Sequence, residues 1–368
     1  MSQSPSLNGP LPPGAIIGIL GGGQLGRMLA LAAAKLGFRT HIYSDETESC
    51  AFHVATKGTQ AKYDDAAALA AFAESCDVVT FEFENVPETT LHHLAVRVPV
   101  APHPRALATA QDRFLEKSFV AGLGIATAPF RNVLSEADAA NAFAELGGPA
   151  VLKTRRLGYD GKGQKIVHSA EECAAAFAAH GSVPAILEKF VDFAFEASVV
   201  AARGRDGAFA AYDPPRNEHE NHILRRSSVP APIGEAGARK AVDIARAIAE
   251  SLDYVGVLGV ELFIGKDGAI AVNEIAPRVH NSGHWTMEAC IVSQFEQHIR
   301  AVAGWPLGEP QRHSDAVMEN IIGAEVEDWR ELAGRMEGLH IYGKREVRPG
   351  RKMGHITRLS PLGTKRPG

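Results

Sequence analysis

Residues 257–277 read Val257-Leu-Gly-Val-Glu261-Leu-Phe-Ile264-Gly265-Lys-Asp-Gly268-Ala-Ile-Ala-Val-Asn273-Glu274-Ile-Ala-Pro277. Two apolar runs of strand length flank Gly265-Lys266-Asp267-Gly268, a turn signal, so the stretch is predicted to be a β-hairpin. Each run carries one carboxylate. A hairpin centred on the turn sets Glu261 opposite Val272 or Glu274 and puts both acids on one sheet face, about 5–8 Å apart. A one-residue slip would separate them. Like charges in apolar surroundings repel and lose hydration. A magnesium ion offsets both penalties, and its preference for oxygen suits Glu261, Glu274, Asn273 and a phosphate. The plainer alternative is a pair of solvated acids at a strand edge.

The segment that follows, Pro277-Arg278-Val279-His280-Asn281-Ser282-Gly283-His284-Trp285-Thr286, is dense in hydrogen-bond donors. An anion such as bicarbonate or phosphate is its natural guest. Zinc on His280 and His284 lacks the Glu of H-E-x-x-H and a third ligand. Upstream, Lys153 ends an apolar strand, where a cation needs an anion to meet it. Gly158-Tyr159-Asp160-Gly161-Lys162-Gly163-Gln164 follows, read either as a flap whose amides and Lys162 close over a triphosphate or as an ordinary solvated hairpin. It is not a Walker loop. Downstream, Lys344, Arg345, Arg348, Arg351 and Lys352 form a basic run, either a solvated face or a site for a substrate phosphate.

Towards the N-terminus the texture changes. Ala15–Leu20 is a buried parallel strand by composition, and Leu25, Met28, Leu29, Ala32 and Leu36 then recur at helical spacing with Gly37 to close the helix. Strands at Arg39–Tyr43 and Asp77–Phe83 complete a βαβ pattern, the mark of an open α/β sheet. Gly21, Gly23 and Gly26 fit G-x-G-x-x-G, with Asp45 near the place of a ribose-binding acid. A dinucleotide, a different phosphate ligand and a purely structural turn all remain compatible with that loop. The three prolines of Pro99–Pro104 suggest a boundary. Beyond it, short strands at 150–153, 185–191, 196–203 and 257–264 and a helix through Val242, Ala245, Ala249 and Leu252 read as α+β.

Composition narrows the function classes. The chain has 368 residues, 38 Lys plus Arg against 43 Asp plus Glu, and a formal net charge of -5, which argues against a nucleic-acid binder. No apolar run approaches the length that spans a bilayer, which argues against a membrane protein. The four cysteines are far apart, as in a reducing compartment, and the first 13 residues lack the basic start of a signal peptide. A soluble cytoplasmic protein is expected, with residues 1–13 as a flexible tail.

Taken together, Gly21–Arg27, Phe81-Glu-Phe-Glu-Asn-Val-Pro87, Gly158–Gln164, Asn273–Thr286 and Glu346–Lys352 resemble the N5-carboxyaminoimidazole ribonucleotide synthetases of the ATP-grasp superfamily. The resemblance runs from Gly14 to about Arg358. It implies an α/β pre-ATP-grasp domain (14–112), a two-lobed ATP-grasp region (113–306) and a small C-terminal domain (307–368). It implies carboxylation of 5-aminoimidazole ribonucleotide with ATP and bicarbonate through carboxyphosphate, with magnesium, in a homodimer. Residue by residue, it implies phosphate contacts for Arg113 and Lys153, and the flap for Gly158, Tyr159, Asp160, Gly161, Lys162, Gly163 and Gln164. Glu188, Lys189, Phe190 and Val191 match the strand that reads adenine by backbone hydrogen bonds. Glu196 matches the acid that takes the ribose hydroxyls, and His219 another ATP-site position. Asn273 contacts phosphate or metal, while Glu261 and Glu274 match the metal ligands. Arg278, His280 and Asn281 are similar to positions around bicarbonate and the imidazole, with Lys153 and Lys162 also expected to take part in the reaction. Glu84, Tyr159, Lys344 and Arg351 match positions that bind the ribonucleotide. The competing readings are a formate-dependent transformylase of the same superfamily, a nicotinamide oxidoreductase built on the first glycine loop, and a non-catalytic nucleotide-binding regulator.

Overall fold

The computed structural model describes residues 5–7, 9–158 and 163–363. Tyr159, Asp160, Gly161 and Lys162, the middle of the expected flap, lie outside the described residues.

The N-terminal pattern folds as a parallel sheet of β1 (Ile16–Leu20), β2 (Arg39–Ser44), β3 (Lys57–Gln60) and β4 (Val78–Phe81), in the order β3-β2-β1-β4. The helix Gln24–Lys35 crosses between β1 and β2, and Gly37, at φ +80°, turns the chain after it. The proline-rich stretch after β4 returns to the sheet. Val79 donates to Pro99 O and accepts from the Ala101 amide, so the expected boundary begins only at the helix Pro104–Ala110. The first 13 residues are not free throughout. Leu11 is buried, its amide donates to Ala303 O at 2.8 Å, and Trp305 Nε1 donates to Leu11 O at 2.8 Å. Burial of the Leu11 side chain and these two hydrogen bonds offset the freedom lost there.

A small antiparallel sheet follows, β5 (Phe130–Val133), β6 (Ala150–Thr154), β7 (Gln164–Val167) and β8 (Ala185–Lys189), in the order β5-β8-β6-β7. Lys153 pairs with Gln164, so the glycine-rich segment joins two paired strands. The large sheet holds β9 (Phe193–Arg203), β10 (Phe209–Ala211), β11 (Arg216–Glu220), β12 (Ile223–Val229), β13 (Gly256–Gly265) and β14 (Ile270–Ala276). It continues without a break into β15 (Asp315–Ile322), β16 (Gly338–Ile341) and β17 (Lys352–Ser360), because β12 pairs with β15. On one face the helix Gly234–Ser251 buries Ala241, Ala245, Ile248 and Ala249 against Leu258, Val260 and Leu262 of β13. Period-two alternation then sends Glu261 to the opposite face, into the cleft.

Candidate active site

The β13–β14 hairpin forms at the expected turn, with one feature the pattern did not disclose. Ile264 pairs with Ile270 and Leu262 with Val272, but Glu261 pairs with Glu274. Asn273 is therefore an extra residue, a β-bulge. Without it Glu261 would face Asn273. The bulge sets the two carboxylates directly across from each other on one face.

Glu261 is ionised and held. His280 Nε2 lies 3.1 Å from its Oε1. Burial alone would raise this carboxyl, but the hydrogen bond from His280 and the neighbouring His219 and Lys352 outweigh burial and keep it below the usual range. Gly259 makes the approach possible, since a Cβ there would stand 2.8 Å from His280 Cβ. Gln294 clamps the His280 backbone, accepting from its N–H at 2.8 Å and donating to its C=O at 2.7 Å. Glu274 receives Arg113 Nη1 at 3.0 Å, and Arg113 Nη2 reaches Gly158 O at 3.3 Å, at the start of the flap segment.

Around the end of the cleft expected to take the nucleotide, cations meet carboxylates. Lys153 Nζ lies 3.1 Å from Glu188 Oε2, and Lys117, which the sequence reading missed, lies 3.3 Å from the same oxygen. Burial opposes ionisation of Glu188, yet the two lysines hold its pKa down to about 2. Glu196 Oε2 takes His219 Nδ1 at 2.7 Å. Burial would lower His219, but the Glu196 hydrogen bond and charge prevail and raise it. The Lys189 and Phe190 amides donate to Pro129 O and Pro149 O, so within the stretch expected to read adenine by backbone hydrogen bonds these two donors are engaged by the protein itself. Phe190 itself is half exposed.

At the other end Arg278 Nη2 pairs with Glu84 Oε1 at 2.8 Å. The basic run folds back towards the first sheet, where Arg345 meets Glu48 at 2.8 Å. Lys344 Nζ donates to Lys352 O at 2.7 Å and Arg351 Nη1 to Glu346 O at 2.9 Å. Burial first, and then Arg351, pulls the Lys344 pKa down to about 8. Asn281 exchanges hydrogen bonds with Asn320 of β15, at 3.0 and 2.7 Å, so its amide ties the cleft floor to the C-terminal strands.

The first glycine loop holds a protein carboxylate. The Gly23 amide donates to Glu82 Oε1 at 2.7 Å, and Cβ atoms at Gly21, Gly23 or Gly26 would come within 3.3 Å of Glu82. The glycines make room for Glu82, whose pKa burial pushes up to about 7. Asp45 is exposed.

The donor set fits magnesium. Among the described residues no three His, Cys, Asp or Glu gather into a metal cage. Two opposed carboxylates leave most of a coordination sphere to phosphate and water, which is how magnesium is usually held.

Against known proteins, residues 15–111 match the ribonucleotide synthetase preATP-grasp domain, residues 118–295 the ATP-grasp domain, and residues 316–362 the phosphoribosylaminoimidazole carboxylase C-terminal domain. The N5-carboxyaminoimidazole ribonucleotide synthase of Brucella melitensis is 53% identical over 95% of this chain and 98% of its own. The chain belongs to the N5-carboxyaminoimidazole ribonucleotide synthase family. A family member crystallised with ADP superposes with a TM-score of 0.92 at 41% identity, covering 96% of this chain and 94% of that one. The Aspergillus clavatus synthase, in complex with ADP and 5-aminoimidazole ribonucleotide, gives 0.88 at 32% identity, covering 95% and 94%. Membership accounts for every stretch that carried the resemblance, and for none of the oxidoreductase reading.

Proposed function

We propose that this protein is an ATP-dependent carboxylate–amine ligase that converts 5-aminoimidazole ribonucleotide to its N5-carboxy derivative in purine biosynthesis. The observation that carries the reading is the direct pairing of Glu261 with Glu274, flanked by a nucleotide end and a basic end. Bicarbonate is a poor electrophile. Its oxygen attacks the γ-phosphorus, the bond to the β-phosphate oxygen breaks, and ADP and carboxyphosphate result. The exocyclic amine then attacks the carboxyl carbon of carboxyphosphate, or of the CO2 it releases. The C–O bond to phosphate breaks, and the nitrogen loses a proton.

The protein's part is to align anions and balance their charge. Arg113 and Lys153 orient the phosphates, with Gly158–Gln164 closing over them. Glu188 to Val191, through backbone groups other than the engaged Lys189 and Phe190 amides, and Glu196 seat the adenosine, with His219 against Glu196. Arg278 and His280 stand beside the bicarbonate and the imidazole, and Asn281 fixes the floor beneath them. Glu84, Lys344 and Arg351 hold the ribonucleotide. Magnesium, when bound to Glu261 and Glu274, neutralises charge on the transferred phosphoryl. A cleft closed by the flap also keeps water from carboxyphosphate. The parts divide as 14–112, 113–306 and 307–368. Cytoplasmic residence and a homodimer complete the reading. The four cysteines are free, and no helix among the described residues is long and apolar enough to cross a membrane. Sedimentation equilibrium tests the dimer.

Phosphate release from ATP and bicarbonate, with and without 5-aminoimidazole ribonucleotide, tests the reaction. Strong stimulation by the ribonucleotide is expected. Stimulation only by formate with glycinamide ribonucleotide would replace this reading with formyl transfer.

A further inference from the structure

A polar stripe crosses the floor of the large sheet beneath the site. Ser198 of β9 lies directly opposite Glu261 of β13, and Asn217 of β11 opposite Ser227 of β12. Ser198, Ser227 and Ser282 are fully buried, and Asn217 nearly so. Burying such groups costs about 1–3 kcal/mol each unless they are hydrogen-bonded. Here they satisfy one another in a line. Ser227 Oγ donates to Asn217 Oδ1 at 2.8 Å, and Asn217 Nδ2 donates to Ser198 Oγ at 3.0 Å. Ser198 Oγ is 2.7 Å from Ser282 Oγ, which is 2.8 Å from His280 Nδ1. His280 Nε2 faces Glu261.

Such a line has two self-consistent directions, because hydroxyls rotate and an amide can be turned over. One contact breaks the tie. The backbone N–H of Ser282 also points at His280 Nδ1, at 3.4 Å, and a backbone amide cannot become an acceptor. Nδ1 therefore carries a lone pair. Ser282 Oγ donates to it, Ser198 Oγ donates to Ser282, and Asn217 donates to Ser198. The remaining imidazole proton sits on Nε2 and points at Glu261.

We propose that Ser198, Asn217, Ser227 and Ser282 are positioning residues that form a one-way hydrogen-bond relay, fixing His280 as the Nε2–H tautomer and thereby orienting Glu261. One carboxylate oxygen of Glu261 is occupied by a fixed donor, which leaves the other to face the cleft. That last step rests on the reading of Glu261 given above, whereas the tautomer does not.

The test is long-range ¹H–¹⁵N correlation of the imidazoles in the full chain without nucleotide, with His280→Gln to assign the signals. A pyridine-like Nδ1 and a pyrrole-like Nε2 are expected at His280. A protonated Nδ1 in the wild type overturns the relay. Asn217→Asp replaces the donor by a near-isosteric acceptor, so it reverses the line and moves the proton to Nδ1. Ribonucleotide-stimulated turnover in that variant falls about 10–100-fold, the usual effect of losing an outer partner of a metal-site ligand. Its KM for ATP stays within about two-fold, which a collapsed site would not allow. Unchanged His280 shifts in Asn217→Asp overturn the relay whatever the turnover shows. Should the variant fail to fold, the wild-type spectrum still decides. Absence of ribonucleotide stimulation in the wild type would instead overturn the functional reading and leave the tautomer standing.

Discussion

The two ends of the cleft handle positive charge in opposite ways. At the end expected to take the nucleotide each named lysine and arginine has a carboxylate: Arg113 with Glu274, and Lys153 and Lys117 with Glu188. At the basic end Lys344 and Arg351 have backbone carbonyls as partners, and neither forms an ion pair among the described residues. A carbonyl satisfies a donor without cancelling its charge. Each lysine and arginine named at the first end thus has an acid beside it before any ligand arrives, and Glu261 and Glu274 are the acids expected to take a cation that comes with the nucleotide. At the second end Arg278 and Arg345 are paired with Glu84 and Glu48, but Lys344 and Arg351 keep their charge uncancelled, as expected of a site that takes an anion from outside. The same types of cation serve scaffold and ligand, and only the partner tells which.

The sharpest way to break the paired end is Glu274→Gln. It removes one of the two opposed charges and weakens the hold on Arg113. Turnover should fall by about 10²-fold or more, as when one preorganised charge partner is lost, while the thermal transition stays near that of the wild type. Wild-type activity in a folded variant would refute the role given to Glu274.

The open end is tested by Lys344→Met and Arg351→Met. Each removes an uncompensated charge-assisted donor, worth about 1.5–3 kcal/mol. The KM for the ribonucleotide should rise about 10–100-fold, with the KM for ATP nearly unchanged. A rise in the ATP KM instead would erase the distinction between the ends.

Acid–base behaviour sharpens it further. Burial places the Lys344 pKa at about 8, so the cation is present below that pH and lost above it. The ribonucleotide KM should climb as pH passes about 8, and Lys344→Arg should abolish the climb. For stability the sign is opposite: the folded pKa lies below that of the unfolded chain, so the burial penalty applies below about 8 and fades as pH rises.

The smallest effect concerns Glu82, raised to about 7 inside the glycine loop. A raised carboxyl binds its proton more tightly in the folded state. Stability from this group is therefore lost as pH rises through about 7, by about 1 kcal/mol between pH 6 and 8. Denaturant unfolding of Glu82→Gln should lack that decline. An identical slope in the variant would remove Glu82 from the account.

How much of this was legible in the chain differs from residue to residue. The hairpin was plain, because turn chemistry and alternation are local. So was the strand–glycine loop–helix entry. What filled the glycine loop was not, since Glu82 is far along the chain and a run of glycines says only that something comes close. Lys117 gave no signal at all, lying in a helix as an ordinary charged residue. Its meaning arises where it meets Glu188. The relay under His280 was equally silent, because isolated serines on separate strands look like surface positions.

By itself the sequence determined the chemical inventory and every element whose pairing is set by neighbours: two acids on one hairpin, a donor-rich segment after it, and a parallel α/β unit in front. Tertiary structure alone decided the bulge at Asn273 that brings Glu261 opposite Glu274, the polarity of the line ending at His280, and the joining of β15 to β12. Those depend on contacts between distant segments. Their energy comes from burial and hydrogen bonds formed only once the chain has closed on itself, so no local pattern records them.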